Sequence, residues 1–271
     1  MEIALAPPRY RDLSWIEAAR RRASSRLSRY FARTPHRLDN ARPLVSFTFD
    51  DAAASAYTLG APLLERAGAR GVFYIATGLV GRRTTDYAML DRSAVRDLHR
   101  RGHEIGLHGH NHSAVGWLGR DALREEIHRN QGELAEIDAG IAARNFAYPF
   151  GIVSVERKRA LAEITSSSRS IAPGVNPRRF DSQYLRSVEL ADARLTPRRL
   201  ADWLETARRS RGWLVFTLHD ISPSPSPFGC TPGLLKAAIL GAVSRGFEIV
   251  TVAQALAQSQ LAPGKNDNRT F

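Results

Sequence analysis

An α/β fold on a parallel sheet, closed as a (β/α) barrel rather than left open, is predicted for this chain. Three observations predict it. Short apolar strands alternate with helical stretches from residue 45 to about residue 257, the order that parallel sheets require. The alternation repeats seven or eight times, which favours closure into a barrel. With 271 residues, 43% of them hydrophobic, the chain can bury one large core.

An amphipathic helix is expected first, over residues 12–31. Ser14-Trp15-Ile16-Glu17 has capping-box form, and Leu13, Ile16, Ala19, Ala23, Leu27 and Phe31 recur every three or four residues. The other face carries Arg20, Arg21, Arg22, Arg26 and Arg29. The apolar stripe predicts packing on the outside or bottom of the domain. An Arg-rich helix of this kind also suits adsorption to an anionic membrane surface.

The barrel pattern then begins with Val45-Ser46-Phe47-Thr48-Phe49, whose alternation and β-branched and aromatic residues read as a strand. A helix is expected over 56–67, a strand over 71–75, a loop over 78–91 and a helix over 93–101. Strand 104–107, helix 120–138, strand 145–148 and helix 154–164 follow. A weak strand over 169–172, a strand over 184–190 and a helix after Thr196-Pro197 lead to the apolar strand 213–218. Helix 232–245, strand 247–252 and a short helix from Ala253 close the series, and the polar tail from Pro263 is expected to be disordered. The expected divisions are a basic helical extension (1–42), a catalytic domain (43–258) and a polar tail (259–271).

Composition removes several function classes. Cys230 is the single cysteine, which excludes an internal disulfide and a cysteine-based zinc site. The net charge is +12, but residues 1–42 carry 10 Arg against 4 acidic residues, half of that excess. A nucleic-acid-binding domain would need a basic face with interleaved aromatics on the domain itself, so no nucleic-acid partner is expected. No apolar leader and no run of membrane-spanning length is visible, and the expected compartment is the cytoplasm, with peripheral contact at the inner membrane face through residues 12–31.

The chemistry gathers at strand ends. Asp50-Asp51 follows the first barrel strand, at the rim where parallel α/β folds bind ligands. The pair could merely cap the next helix, but adjacent carboxylates point apart, so one can hold a metal while the other acts as a base. His108-Gly109-His110-Asn111-His112 follows another strand. On a helical turn His108 and His112 would share a face, whereas in an extended segment His108, His110 and His112 would. Gly109 directly after a strand argues for the turn. With Asp51 the pair makes a two-His-one-carboxylate set that leaves positions open for water and substrate. His219 ends the strand 213–218 at the same rim, where it can protonate a leaving group.

In order, Thr48-Phe49-Asp50-Asp51, the His108–His112 pair, Tyr148-Pro149-Phe150-Gly151 and Leu218-His219 resemble the motifs of the polysaccharide deacetylase family, the NodB-homology group or carbohydrate esterase family 4. The resemblance spans residues 44 to about 256. It implies a distorted (β/α) barrel of about seven parallel strands and one divalent metal, most often zinc. It also implies hydrolysis of acetyl groups from N-acetylated sugars in an oligosaccharide, polysaccharide or lipid-linked glycan. Carried over, Asp50 resembles the general base, Asp51, His108 and His112 the metal ligands, and His219 the general acid. Phe150 stands where the family uses a backbone N–H toward the oxyanion. Two positions depart from the pattern: Gly109 replaces a hydroxyl residue, and Ala147 stands where an Arg pairs with the base. Alternation in 184–188 makes Arg186 the expected substitute. An acetyl-ester hydrolase acting on an O-acetylated glycan, or a non-catalytic carbohydrate-binding relative, would carry much the same residues.

Overall fold

The computed structural model describes residues 14–51, 53–84 and 87–261. In chain order the elements are α1 (Trp15–Leu27), β1 (Pro35–Leu38), β2 (Leu44–Phe49), α2 (Ala61–Arg66), β3 (Val72–Ile75), α3 (Arg92–Arg100), β4 (Glu104–Leu107), α4 (Arg120–Ile137) and β5 (Asn145–Ala147). There follow α5 (Val155–Ala162), β6 (Ser167–Arg169), β7 (Arg179–Asp181), β8 (Val188–Glu189), α6 (Pro197–Ser210), β9 (Trp213–Leu218), α7 (Pro232–Ser244), β10 (Glu248–Ile249), α8 (Val252–Ala257) and β11 (Ser259–Leu261). The expected tail from Pro263 and the first residues of the expected N-terminal helix lie outside the described residues.

The main sheet has the order β6-β5-β4-β3-β2-β9-β8, with β10 added beside the first half of β2, and every pairing is parallel. Leu185 bridges Arg169 of β6, and three residues later the same segment enters β8. This link joins the two edges and curls the sheet into a distorted barrel, the predicted fold. The expected strand 184–190 is therefore reduced to β8, because residues 182–184 are spent on a 3₁₀ turn that makes the closing bend.

The alternation in β2 sorts its residues between two buried layers. Val45, Phe47 and Phe49 join Phe73, Ile75 and Leu107 under the helices, against Leu64, Leu98 and Leu123. Each buried aromatic there contributes about 1.5–3 kcal/mol. Ser46 and Thr48, on the other parity, face the barrel interior rather than water. Their hydroxyls donate to Val250 O (2.7 Å) and Phe216 O (2.8 Å), so the polar positions are satisfied inside the core. Asp50 continues this interior parity just beyond the strand.

Three short segments absent from the sequence-based scheme form a second sheet, β11-β1-β7, antiparallel throughout. Pro-His-Arg-Leu, Arg-Phe-Asp and Ser-Gln-Leu show no usable alternation, since their order comes from each other and not from a buried face. This sheet ties residues on both sides of the expected domain limits to the barrel.

Helix α1 packs in the opposite sense to that expected. Ala18 is its buried residue, and Arg21 and Ser24 face the barrel, where Arg21 donates to Gly116 O and Ser24 accepts from the Val155 N–H. Lys158, fully buried on α5, donates from Nζ to Ser28 O (2.8 Å) and Phe31 O (3.0 Å) and pairs with Asp181. These polar contacts outcompete the apolar stripe for the inner side, and Trp15, Ile16, Leu27, Tyr30 and Phe31 are left exposed.

Candidate active site

Five strand ends and two loops bring the site together at the C-terminal rim of the sheet. Asp50 and Asp51 follow β2, His108 follows β4, Phe150 lies just past β5, Arg169 ends β6 and His219 follows β9. All of these but the buried Arg169, together with His112, Tyr87, Glu189, Arg194 and Phe228, line a cleft of about 360 Å³. Three of the positive-φ non-glycine residues are here, Asp51 (60°), His112 (55°) and Phe150 (57°). Backbone held in this sparsely populated region aims side chains that an ordinary strand-to-helix turn would point elsewhere.

Asp51, His108 and His112 converge, each with a ligand atom within 4.8 Å of the others. Asp51 Oδ1 lies 3.2 Å from His108 Nε2 and 3.0 Å from His112 Nε2. His108 Nδ1 is 2.9 Å from Ala147 O, a carbonyl that can only accept, so Nδ1 carries the proton and Nε2 offers its lone pair inward. Buried Asp51 Oδ1 receives no hydrogen bond. Lone pairs gathered around an unpartnered carboxylate oxygen fit a divalent cation, and these three side chains would hold it. Burial pushes the Asp51 carboxyl up, but His112 and His108 more than offset it and hold its pKa well below the usual carboxylate range. Its Oδ2 accepts from Tyr87 Oη at 3.1 Å, and burial and Asp51 together push the Tyr87 phenol up, keeping it a donor.

The segment 108–112 is not a helical turn. Gly109 (φ 77°) and His112 (φ 55°) fold it back twice, which still places His108 and His112 side by side, ring centroids 4.8 Å apart. His110 points away, to Thr77 Oγ1 (3.0 Å) and Glu133 (3.2 Å). Asn130 on α4 fixes the start of this segment, accepting from the His108 N–H (3.1 Å) and donating to Ile75 O (3.0 Å). His108→Ala or His112→Ala is therefore expected to abolish binding of one divalent ion, whereas His110→Ala keeps it and costs about 1–3 kcal/mol of stability through the partners it abandons. Metal analysis and thermal unfolding of the three variants check this.

The guanidinium beside Asp50 belongs to Arg169, not Arg186. Fully buried Arg169 grips both carboxylate oxygens of Asp50 through Nη2, and its Nη1 donates to Thr217 Oγ1 at 2.9 Å. It lies over the Tyr74 ring, centroid 5.3 Å away. Gly106 makes room for that ring, since a Cβ there would stand 2.4 Å from it. Arg186 is exposed beside Gly174, because Ser187 and Glu189 are the residues of that segment that face the cleft. The pleat allows only one parity inward. Arg169 pairs in register with Ala147, so the cation stands one strand over from the position the motif pattern indicates. A lone Arg in the otherwise small, polar run Thr165-Ser166-Ser167-Ser168-Arg169-Ser170 was the available signal.

His219 is partly exposed on the cleft wall, with its Nδ1 lacking a hydrogen-bond partner and its ring 5.7 Å from that of Phe228. Phe150 packs its ring 4.5 Å from His112. Tyr87 and Phe228 come from the loops 78–91 and 222–232, and Arg194 pairs with Glu189 at 3.0 Å across the rim.

The polysaccharide deacetylase family model matches residues 37–166. No curated protein sequence matches the chain. Among solved structures, a family 4 acetyl xylan esterase from Clostridium thermocellum in complex with a cobalt ion is similar at 22% identity, covering 79% of this chain and 90% of that one, with a TM-score of 0.55. PdaA of Bacillus subtilis, a family 4 carbohydrate esterase, is similar at 14% identity, with coverage of 95% and 94% and a TM-score of 0.55. A family 4 pseudoenzyme from Bacillus anthracis is similar at 15% identity, with coverage of 80% and 66% and a TM-score of 0.53. These likenesses carry the fold, and the matched segment contains Asp50, Asp51, His108 and His112: residues 37–166 of this chain match the polysaccharide deacetylase family.

Proposed function

We propose that this protein is a metal-dependent hydrolase that removes acetyl groups from N-acetylated sugars. The observation that carries the reading is one cleft lined by a cation-clamped carboxylate, Asp50, by the ligand set Asp51, His108 and His112, and by His219. A divalent ion held by that set, most simply zinc given its nitrogen and oxygen donors, would supply Lewis acidity toward the acetyl carbonyl and lower the pKa of water. Asp50, oriented by Arg169, accepts the proton of the attacking water. The backbone N–H of Phe150 donates to the carbonyl oxygen as it gains charge. His219 donates a proton to the nitrogen as the C–N bond breaks, so that water and amide become acetate and amine.

An O-acetylated glycan is the second reading, favoured by the likeness to an acetyl xylan esterase. The non-catalytic alternative sits poorly with the retained Asp50, Asp51, His108, His112 and His219. Acetate release from parallel panels of N-acetylated and O-acetylated saccharides tests all three. The expected result is turnover of the N-acetyl panel that a chelator abolishes and added zinc restores. Turnover of esters alone would establish the second reading. No turnover by protein carrying a stoichiometric divalent ion would overturn both hydrolytic readings.

A further inference from the structure

We propose that the outward face of α1 docks on an anionic lipid bilayer. The helix is attached to the barrel by its polar side, so its apolar side has no partner within the described chain. Trp15 is 80% exposed, Ile16 60%, Tyr30 65% and Phe31 53%, with Leu27 between them. At 100° per residue, Ile16, Ala19, Ala23 and Leu27 share the face turned away from buried Ala18, and exposed Trp15 stands at the edge of that face. Exposed apolar groups are ordinary when scattered, but five large ones within 17 residues, on the helix and the turn that follows it, mark a binding surface.

Charge decides the occupant. Arg20 flanks the stripe on one side and Arg26 on the other, with Arg29 at its end, all exposed. Beside that end opens a groove of about 490 Å³, lined by Arg29, Arg33, Arg179 and Arg186, whose acidic lining residue, Asp181, is already paired with Lys158. A second copy of this face would bring like guanidinium groups against one another. Anionic headgroups answer the same arginines while the stripe enters the acyl boundary, the arrangement of interfacial helices.

The anchorage is firm rather than incidental. Lys158 holds the carbonyls of Ser28 and Phe31, and Asp181 accepts from the Thr34 N–H at 3.0 Å, so the exposed face is presented from a fixed helix. The inference is independent of the catalytic reading.

Co-sedimentation of the full-length protein with phosphatidylglycerol vesicles, and with phosphatidylcholine vesicles as the neutral control, tests it. Binding to the anionic vesicles is expected, weakening as salt is added. Arg20→Gln with Arg26→Gln should weaken that binding about 30-fold. Trp15→Ser with Leu27→Ser should weaken it by about 100-fold or more. Both pairs are exposed, so unchanged circular dichroism and metal content are expected. Binding that survives the Trp15/Leu27 substitutions would overturn the proposal. So would equal binding to both vesicle types, or no vesicle binding together with a concentration-dependent dimer that the Trp15/Leu27 variant loses.

Discussion

Arg169→Met is expected to lower kcat/KM about 10²–10⁴-fold, the scale of losing a competent general base. It removes the cation from a carboxylate that stays buried, which costs a further 3–5 kcal/mol or about that in stability. Arg169→Lys keeps the charge but loses the fork that reaches both oxygens, and should fall between wild type and Arg169→Met. Because Ala147 is the in-register neighbour of Arg169, the double variant Ala147→Arg/Arg169→Ala can return a guanidinium to the same carboxylate. Partial recovery of rate is expected of it. An Arg169→Met enzyme that folds, binds metal and keeps its rate would show that the pair is structural only. Arg186→Met, by contrast, should leave the rate unchanged.

The second large effect concerns His219. An unprotonated amine is a poor leaving group and an alkoxide or phenoxide a much better one, so a general acid matters most for the amide. His219→Ala is expected to cost about 10²–10⁴-fold on an N-acetylated sugar and far less on an activated acetyl ester. It lines the cleft without belonging to the Asp51, His108 and His112 cluster, so the variant should retain its metal. Equal losses on both substrates would mean that His219 positions the sugar, together with Phe228 against its ring, and is not the acid.

The order of strands and helices, and the rim on which chemistry gathers, were legible in the sequence because they depend on short-range periodicity. Val45, Phe47 and Phe49 declare a strand by themselves, and residues directly after a parallel strand must emerge at its C-terminal end. The grouping of Asp51, His108 and His112 follows from the same rule applied to two strands that flank β3. Other features were set by relations between distant segments. Arg169 reaches Asp50 because β6 pairs with β5 in one register and the sheet curls until its edge faces β2, and neither fact is written in the local pattern of β6. Arg186 fell to the outer parity for the same reason. Tyr87 and Phe228 arrive on loops without periodicity, and β1, β7 and β11 are ordered only by pairing with each other. The orientation of α1 is the clearest case. Its amphipathic pattern is plain in the sequence, yet which side lies inward was decided by a buried lysine more than a hundred residues away. A charged group with no water must find acceptors, and Lys158 found them in the carbonyls at the end of that helix.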